Sequence, residues 1–287
     1  MPKSQASCSS NSRRRSTKFC KFIPFIHTNT SRQVCFLKGI SYKELYKATD
    51  GFRRIMTCDS QSITYEAKFE DGSASIVKEV RSVDRSNEVF DKELQCLGRL
   101  HHRHVVALRG FSIGRRSFLI FENTAKGSLK EHLNDPLKTP LSWKTRVQIA
   151  IGVAAALFFC EAPIRHISID SSDIILDDKL VPKLSNISCL CSEEKADMIP
   201  QFGALLLELI TGQSLAKESA DVIQWIQELR SNLSMHNMID PDLGNSYSSK
   251  ELWDLLSVAR LCMKVQNTQA FSISQIFWYL QKRFGNN

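Results

Sequence analysis

Residues 166–176 read HISIDSSDIIL, and residues 184–190, LSNISCL, follow a few positions later. Taken alone, the pair is a short polar loop set between apolar runs, so its meaning depends on what flanks it. Upstream, the chain reads mostly as strands. Ser41 opens a short helix in SYKELYKATDGF, with Glu44 at the capping-box partner position and a stop near Gly51. Alternating runs at 62–69 and 74–80 flank Asp71-Gly72, a strong hairpin signal. Positions 87–100 then predict an amphipathic helix, with Val89, Phe90, Leu94, Leu97 and Leu100 on its apolar side. Two further strands, 105–111 and 117–121, are split by Gly114-Arg115.

From Leu129 onward the pattern is helical. Positions 143–159 carry apolar residues at 143, 147, 151, 154 and 158, one face of a buried helix. Positions 202–210 are apolar on all sides and stop at Gly212, which predicts a core helix; 222–229, 251–263 and 273–280 continue the series. The expectation is an α+β body in two lobes: a small β-rich lobe with one main helix over about 40–123, and a larger helical lobe over about 124–287.

A chain of 287 residues can bury a core in such a body. No apolar run reaches the ~18 residues that a membrane span needs, which predicts a soluble protein. Nine cysteines, an odd number without a Cys-x-x-Cys pair, read as free thiols in a reducing compartment. Cys189-x-Cys191, the closest spacing, lacks the second pair of a structural zinc site. Charge is placed unevenly. Residues 1–43 hold nine Lys and Arg and no acid, leaving 29 bases against 30 acids in the remainder. The basic pI belongs to the tail, and a near-neutral body argues against nucleic-acid binding. Residues 1–39, rich in Ser and Arg, read as a disordered tail. Its uses include a solvated tail, a transit peptide, or peripheral contact with an anionic membrane through the basic cluster beside Phe19, Phe22 and Phe25. Pro2 rules out N-myristoylation.

The words SYKELYKATDGF, GRLHHRHVVALRGF, GSLKEHL, LSWKTRVQIAIGVAAAL and FGALLLELITG, in this order from Ile40 to about Phe284, resemble a plant receptor-like protein kinase domain. The resemblance implies a two-lobed kinase fold, and in an active member ATP with Mg²⁺ and a Ser/Thr phosphotransfer activity. Position by position, the chemistry is dismantled. The glycines that lay backbone N–H groups over phosphate correspond to Thr57, Asp59 and Ser62. Lys78 and Glu93 match the phosphate-holding lysine and its ion-pair partner, but the small residue against adenine is Ile76. The catalytic loop keeps His166, while its Arg, catalytic Asp, phosphate-facing Lys and metal-binding Asn become Ile167, Ser168, Asp170 and Asp173. Asp-Phe-Gly becomes Asn186-Ile187-Ser188, so Asn and Asp have exchanged places between 173 and 186.

Only about ten residues separate Ser188 from the next helix, too few for a full activation segment. The Arg that pairs with that segment's closing Glu corresponds to Ala270, so both partners are gone. Leu97, Leu108, His166 and Ile187 match the apolar stack that links the lobes. Met198 falls where the family braces its catalytic loop with Asp, with Asp197 the alternative at a one-residue slip, and about four residues are missing after Leu157.

What the resemblance then implies is a catalytically inactive receptor-like cytoplasmic pseudokinase, a signalling adaptor or scaffold that binds an active kinase or an immune or signalling receptor. Its place would be cytoplasmic, at or near the inner face of the plasma membrane. No catalytic residue, no cofactor and no metal are expected, with Asp173 the one candidate metal ligand. The alternative is a residual ATP-binding kinase with weak phosphotransfer through Lys78, Glu93 and Asp173.

Overall fold

Strand periodicity builds the small lobe. The computed structural model describes residues 37–58, 62–80, 87–123, 126–160, 166–188, 198–213, 239–263 and 271–285. Within these, β1 (Lys38–Gly39), β2 (Ile55–Cys58), β3 (Ser62–Lys68), β4 (Ala74–Val80), β5 (Leu108–Ser112) and β6 (Ser117–Glu122) form one sheet in the order β1-β5-β6-β4-β3-β2. The β3–β4 hairpin turns where Asp71-Gly72 predicts it. The Asp71 carboxylate accepts from the Ser73 amide and hydroxyl at 2.8 and 2.6 Å, and Gly72 sits at φ +82°, a region open to glycine.

Each face of the sheet is sealed by a helix. Helix α1 (Tyr42–Ala48) is capped by the Ser41 hydroxyl, which accepts from the Glu44 amide at 3.2 Å. Its Leu45 and Ala48 join Tyr65, Val77, Phe118 and Ile120 in one buried cluster. Arg116 lies over the rings of Phe52 and Phe118, at 4.8 and 5.2 Å, and pairs with the buried Glu79. On the other face, α2 (Asn87–Leu97) buries Phe90, Leu94 and Leu97 against the main core.

The large lobe is built around α4 (Trp143–Cys160), preceded by the short α3 (Leu129–Asn134). The stripe at 143, 147, 151, 154 and 158 predicts one buried face; instead α4 is buried almost all round. Within the stripe Phe158 is the exception, 40% exposed and stacked on Phe277; Lys144, Gln148 and Phe159 of α4 are exposed as well. By length and composition α4 could cross a membrane, contrary to the expectation that no run is long and apolar enough. Its apolar residues are taken up by this lobe's core, between β9 (Pro182–Leu184), α5 (Met198–Thr211) and α7 (Ile273–Phe284). Helix α6 (Ser249–Met263) packs on α5, and Trp143 Nε1 donates to Glu251 at 2.9 Å to join α4 to α6.

An ion pair lies inside that core. Arg146, 1% exposed, donates to the Leu141 and Leu209 carbonyls at 2.9 and 3.0 Å and to the Asp240 carboxylate at 2.6 Å. Gly212 closes α5 at φ +70°, and a side chain there would strike Asp240.

The outline agrees with the sequence reading, with some differences. β2 and the short strands β7 (His166–Ile167), β8 (Ile174–Leu176), β9 and β10 (Ile187–Ser188) carry no periodic run long enough to predict them. β1 lies within the span read as tail: Leu37 is buried, and Lys38–Gly39 pair with Gly110 and Phe111. Cys58, Cys160 and Cys262 are free, but Cys96 is disulfide-bonded, against the expectation of free thiols. The tail before residue 37, Asp59, Ala270 and the helix expected at 222–229 lie outside the described residues.

Candidate functional site

The loop quoted first lies between the lobes, on the wall of a cleft of about 680 Å³. β4, β6 and the loop after α2 supply Ile76, Lys78, Phe121 and Val106. The segment between β7 and β8 supplies Ser168, Asp170 and Asp173, and the β9–β10 link supplies Ser185 and Asn186. The β7–β10 pairing sets this geometry: Ile187 lies opposite Ile167, and the Ser168 amide donates to the Asn186 carbonyl at 3.1 Å.

At the centre, Asn186 bridges the lobes. Its Oδ1 accepts from Lys78 Nζ at 3.2 Å, and its Nδ2 donates to Asp173 Oδ2 at 3.4 Å. An amide can do both because it carries an acceptor and two donors. Ser185 closes the ring, giving its amide and hydroxyl to the Asp173 carbonyl at 3.0 and 2.8 Å. Asp170 accepts from the Ser172 hydroxyl and amide at 2.7 and 3.0 Å. Below, the Ser171 hydroxyl donates to Glu208 on α5 at 2.6 Å. Burial lifts the Glu208 carboxyl above its ordinary range, against the Ser171 hydrogen bond, and the charge of Asp170 adds to the lift.

The structure thus gathers Lys78, Ser168, Asp170, Asp173 and Asn186 at one cleft. Glu93 is buried on α2, 5% exposed. Ile76 lines the cleft beside its strand partner Phe121 and near Val106. Leu97, Leu108 and Ile187 of the inter-lobe stack are all buried; the side chain of His166 lies outside the described set.

ATP with Mg²⁺ fits this set poorly. The cleft is large enough for a nucleotide. However, the Asn186 oxygen is committed to Lys78, and two carboxylates face the space that phosphates would need. Among the described residues, no group of three His, Cys, Asp or Glu could hold a metal ion. Ser168, at the position where the resemblance expects a general base, lines the cleft with a hydroxyl, which near neutral pH does not take up a substrate proton.

Three residues escape the sequence reading, the third of them in the core of the large lobe. Gln201 on α5 accepts from the Ile169 amide at 3.4 Å, bracing the loop from a position that no motif marks. Glu122 receives Lys183 at 2.6 Å and Arg109 at 2.7 Å, tying the strand that leaves the small lobe to β9. An Arg inside an apolar helical run was the available signal for the third, Arg146.

Residues 54–198, half of the chain, match the family model of protein tyrosine and serine/threonine kinases, and the chain belongs to that family. Its relatives are receptor-like: a probable receptor-like protein kinase of Arabidopsis thaliana is 33% identical over 88% of this chain. The chain spans 44% of that relative's length. Among solved structures, the pseudokinase domain of BIR2, an immune regulator of the RLK/Pelle family, matches with a TM-score of 0.73 at 23% identity, covering 88% of this chain and 86% of that one. A pseudokinase solved in its apo form matches with a TM-score of 0.72 at 19% identity, covering 91% and 99%. Both are likenesses of fold.

Proposed function

We propose that this chain is a catalytically inactive pseudokinase that serves as a signalling adaptor or scaffold, docking onto an active kinase or receptor at the cytoplasmic side of the plasma membrane. The observation that carries the reading is the Asn186 bridge. The lysine that would meet phosphate and the carboxylate that would meet metal are joined by a neutral amide, beside a serine in the base position. General acid–base help is worth about 10²–10⁴-fold, and phosphate and metal positioning supply most of the remainder in phosphoryl transfer. What remains is the two-lobed fold itself.

A second reading, weak phosphotransfer with residual ATP binding, draws on Lys78 and Asp173 sharing one network at an open cleft. A thermal-shift titration of the full chain with Mg²⁺-ATP, beside Lys78→Ala, separates the two. Ligand binding raises stability as RT ln(1 + [L]/Kd), so millimolar nucleotide reveals any affinity of ~100 μM or tighter. No response is expected. A rise that Lys78→Ala abolishes, together with transfer of labelled phosphate to casein, would replace the adaptor reading with the second one. Crosslinking from cells should recover an active kinase or a receptor, and failure to recover either would sink the adaptor role.

A further inference from the structure

The large lobe carries a second concavity, separate from the cleft. It holds about 600 Å³ between the His102–Arg103–His104 loop, α4, the β8–β9 turn and α7. Its formal charges have one sign: exposed Arg103, Lys144 and Lys179 line it, and among the described residues no Asp or Glu does. The neighbouring Asp177 faces its own turn, accepting from the Lys179 and Val181 amides at 2.8 and 2.9 Å.

The groove is held in shape from beneath. Gly152 lets α4 approach His104 and Pro182 so closely that a Cβ would lie 2.8 and 2.7 Å from their side chains. His104 Nδ1 in turn meets the Pro182 carbonyl at 2.9 Å. Aromatic rings border the basic floor. His102 stacks on Phe159 at 4.8 Å, Phe158 stacks on Phe277 at 5.6 Å, and Trp278, 60% exposed, lies 5.0 Å from Phe277. Three cations line the groove with no lining Asp or Glu among the described residues, although exposed Asp178 adjoins Lys179; beside exposed rings they make a basic surface in a body whose charges otherwise nearly cancel.

We propose that this groove docks an acidic peptide segment of a protein partner, with carboxylates at Arg103, Lys144 and Lys179 and an aromatic anchor against Phe277 and Trp278. The inference rests on the adaptor reading and names the chemistry of its partner. The chain's own first 36 residues are excluded by charge, since they are basic and hold no acid. A concave site between four elements also suits a peptide better than the plane of a bilayer.

The test uses the full-length chain and a fluorescein-labelled heptapeptide, Glu-Asp-Glu-Trp-Glu-Asp-Phe, followed by fluorescence anisotropy. Its counterpart has every acid replaced by the matching amide. The groove variant is Arg103→Glu/Lys144→Glu/Lys179→Glu. The charge-matched control is Lys43→Glu/Arg115→Glu/Lys250→Glu, at exposed positions elsewhere. The acidic peptide should bind, the amide peptide should not, and the groove variant should bind at least about tenfold more weakly while the control stays within about twofold. Binding should also weaken from 50 to 500 mM salt. Should the triple variant fail to melt cooperatively, Lys179→Glu alone, on an exposed turn, carries the same comparison.

Equal loss in both variants, or no binding by the wild-type chain, would overturn the proposal. So would groove-dependent binding to phosphatidylserine vesicles without peptide binding, or groove-dependent self-association in sedimentation velocity, since these assign the groove to a membrane or to a second copy. The adaptor reading is decided separately by the ATP titration and the crosslinking. It would stand if recovered partners bound the groove variant undiminished.

Discussion

Two polar networks can be compared directly: Arg146 with Asp240 inside the large lobe, and Lys78 with Asn186 and Asp173 between the lobes. The first keeps full charges, at 2.6 Å, with the guanidinium also satisfied by two backbone carbonyls. The second has a neutral amide between its ions, at 3.2 and 3.4 Å, beside a 680 Å³ opening. Removing one partner of the first strands a charge in an apolar core. The second can lose its chemistry and still remain hydrogen-bonded. In this chain the core pair joins two charged groups directly, while in the cleft Lys78 reaches Asp173 only through the Asn186 amide.

The comparison breaks most severely at Arg146. Arg146→Ala should lose about 3–5 kcal/mol in urea denaturation, and Arg146→Met/Asp240→Leu should recover much of that loss. If the single variant costs no more than a surface substitution, the core pair is not a frame element.

The next effect is a dependence on pH. Burial holds the His104 imidazole well down, at about 4 against an ordinary 6.5, with the charges of Arg103, His102 and Lys183 adding to it against the pull of the Pro182 carbonyl. The unfolded chain takes up that proton near 6.5 and the folded chain only near 4. The contribution is therefore complete above pH 6.5 and is lost as pH falls through the interval to about 4. The melting temperature should drop across this window, and His104→Gln should flatten the drop.

Asn186→Ala, at the cleft, should cost only about 1 kcal/mol, the scale of a hydrogen bond lost with its partners still reachable by water. A loss near that of Arg146→Ala would show that the cleft network is as structural as the core pair. Lys47→Ala removes one end of an exposed pair with Glu70 at 3.7 Å, and should change stability by less than about 0.5 kcal/mol.

Much of the fold was legible because its signals are local. Ser41 as a cap, Asp71-Gly72 as a turn and Gly212 as a stop each act within a few residues, and each appears where the chain announces it. The stripe on α4 misled about Phe158 because a helix buried on nearly every side has no single inner face. The two-residue strands β1, β7 and β10 pair through distant partners, so no periodicity can reveal them. At the site, the resemblance pointed to positions 168, 170, 173 and 186, and all four line the cleft. That Asn186 would reach Lys78 and Asp173 together depends on how the lobes close, which no spacing encodes.

That bridge has a mechanical consequence. Lys78 belongs to the small lobe, and Asp173 and Asn186 to the large one, so protein atoms help set the opening between the lobes. The two lobes are thus tied at the cleft by side chains of the chain itself. A partner that gripped both lobes would find them already joined at this point, and would avoid part of the entropic cost of fixing a loose joint.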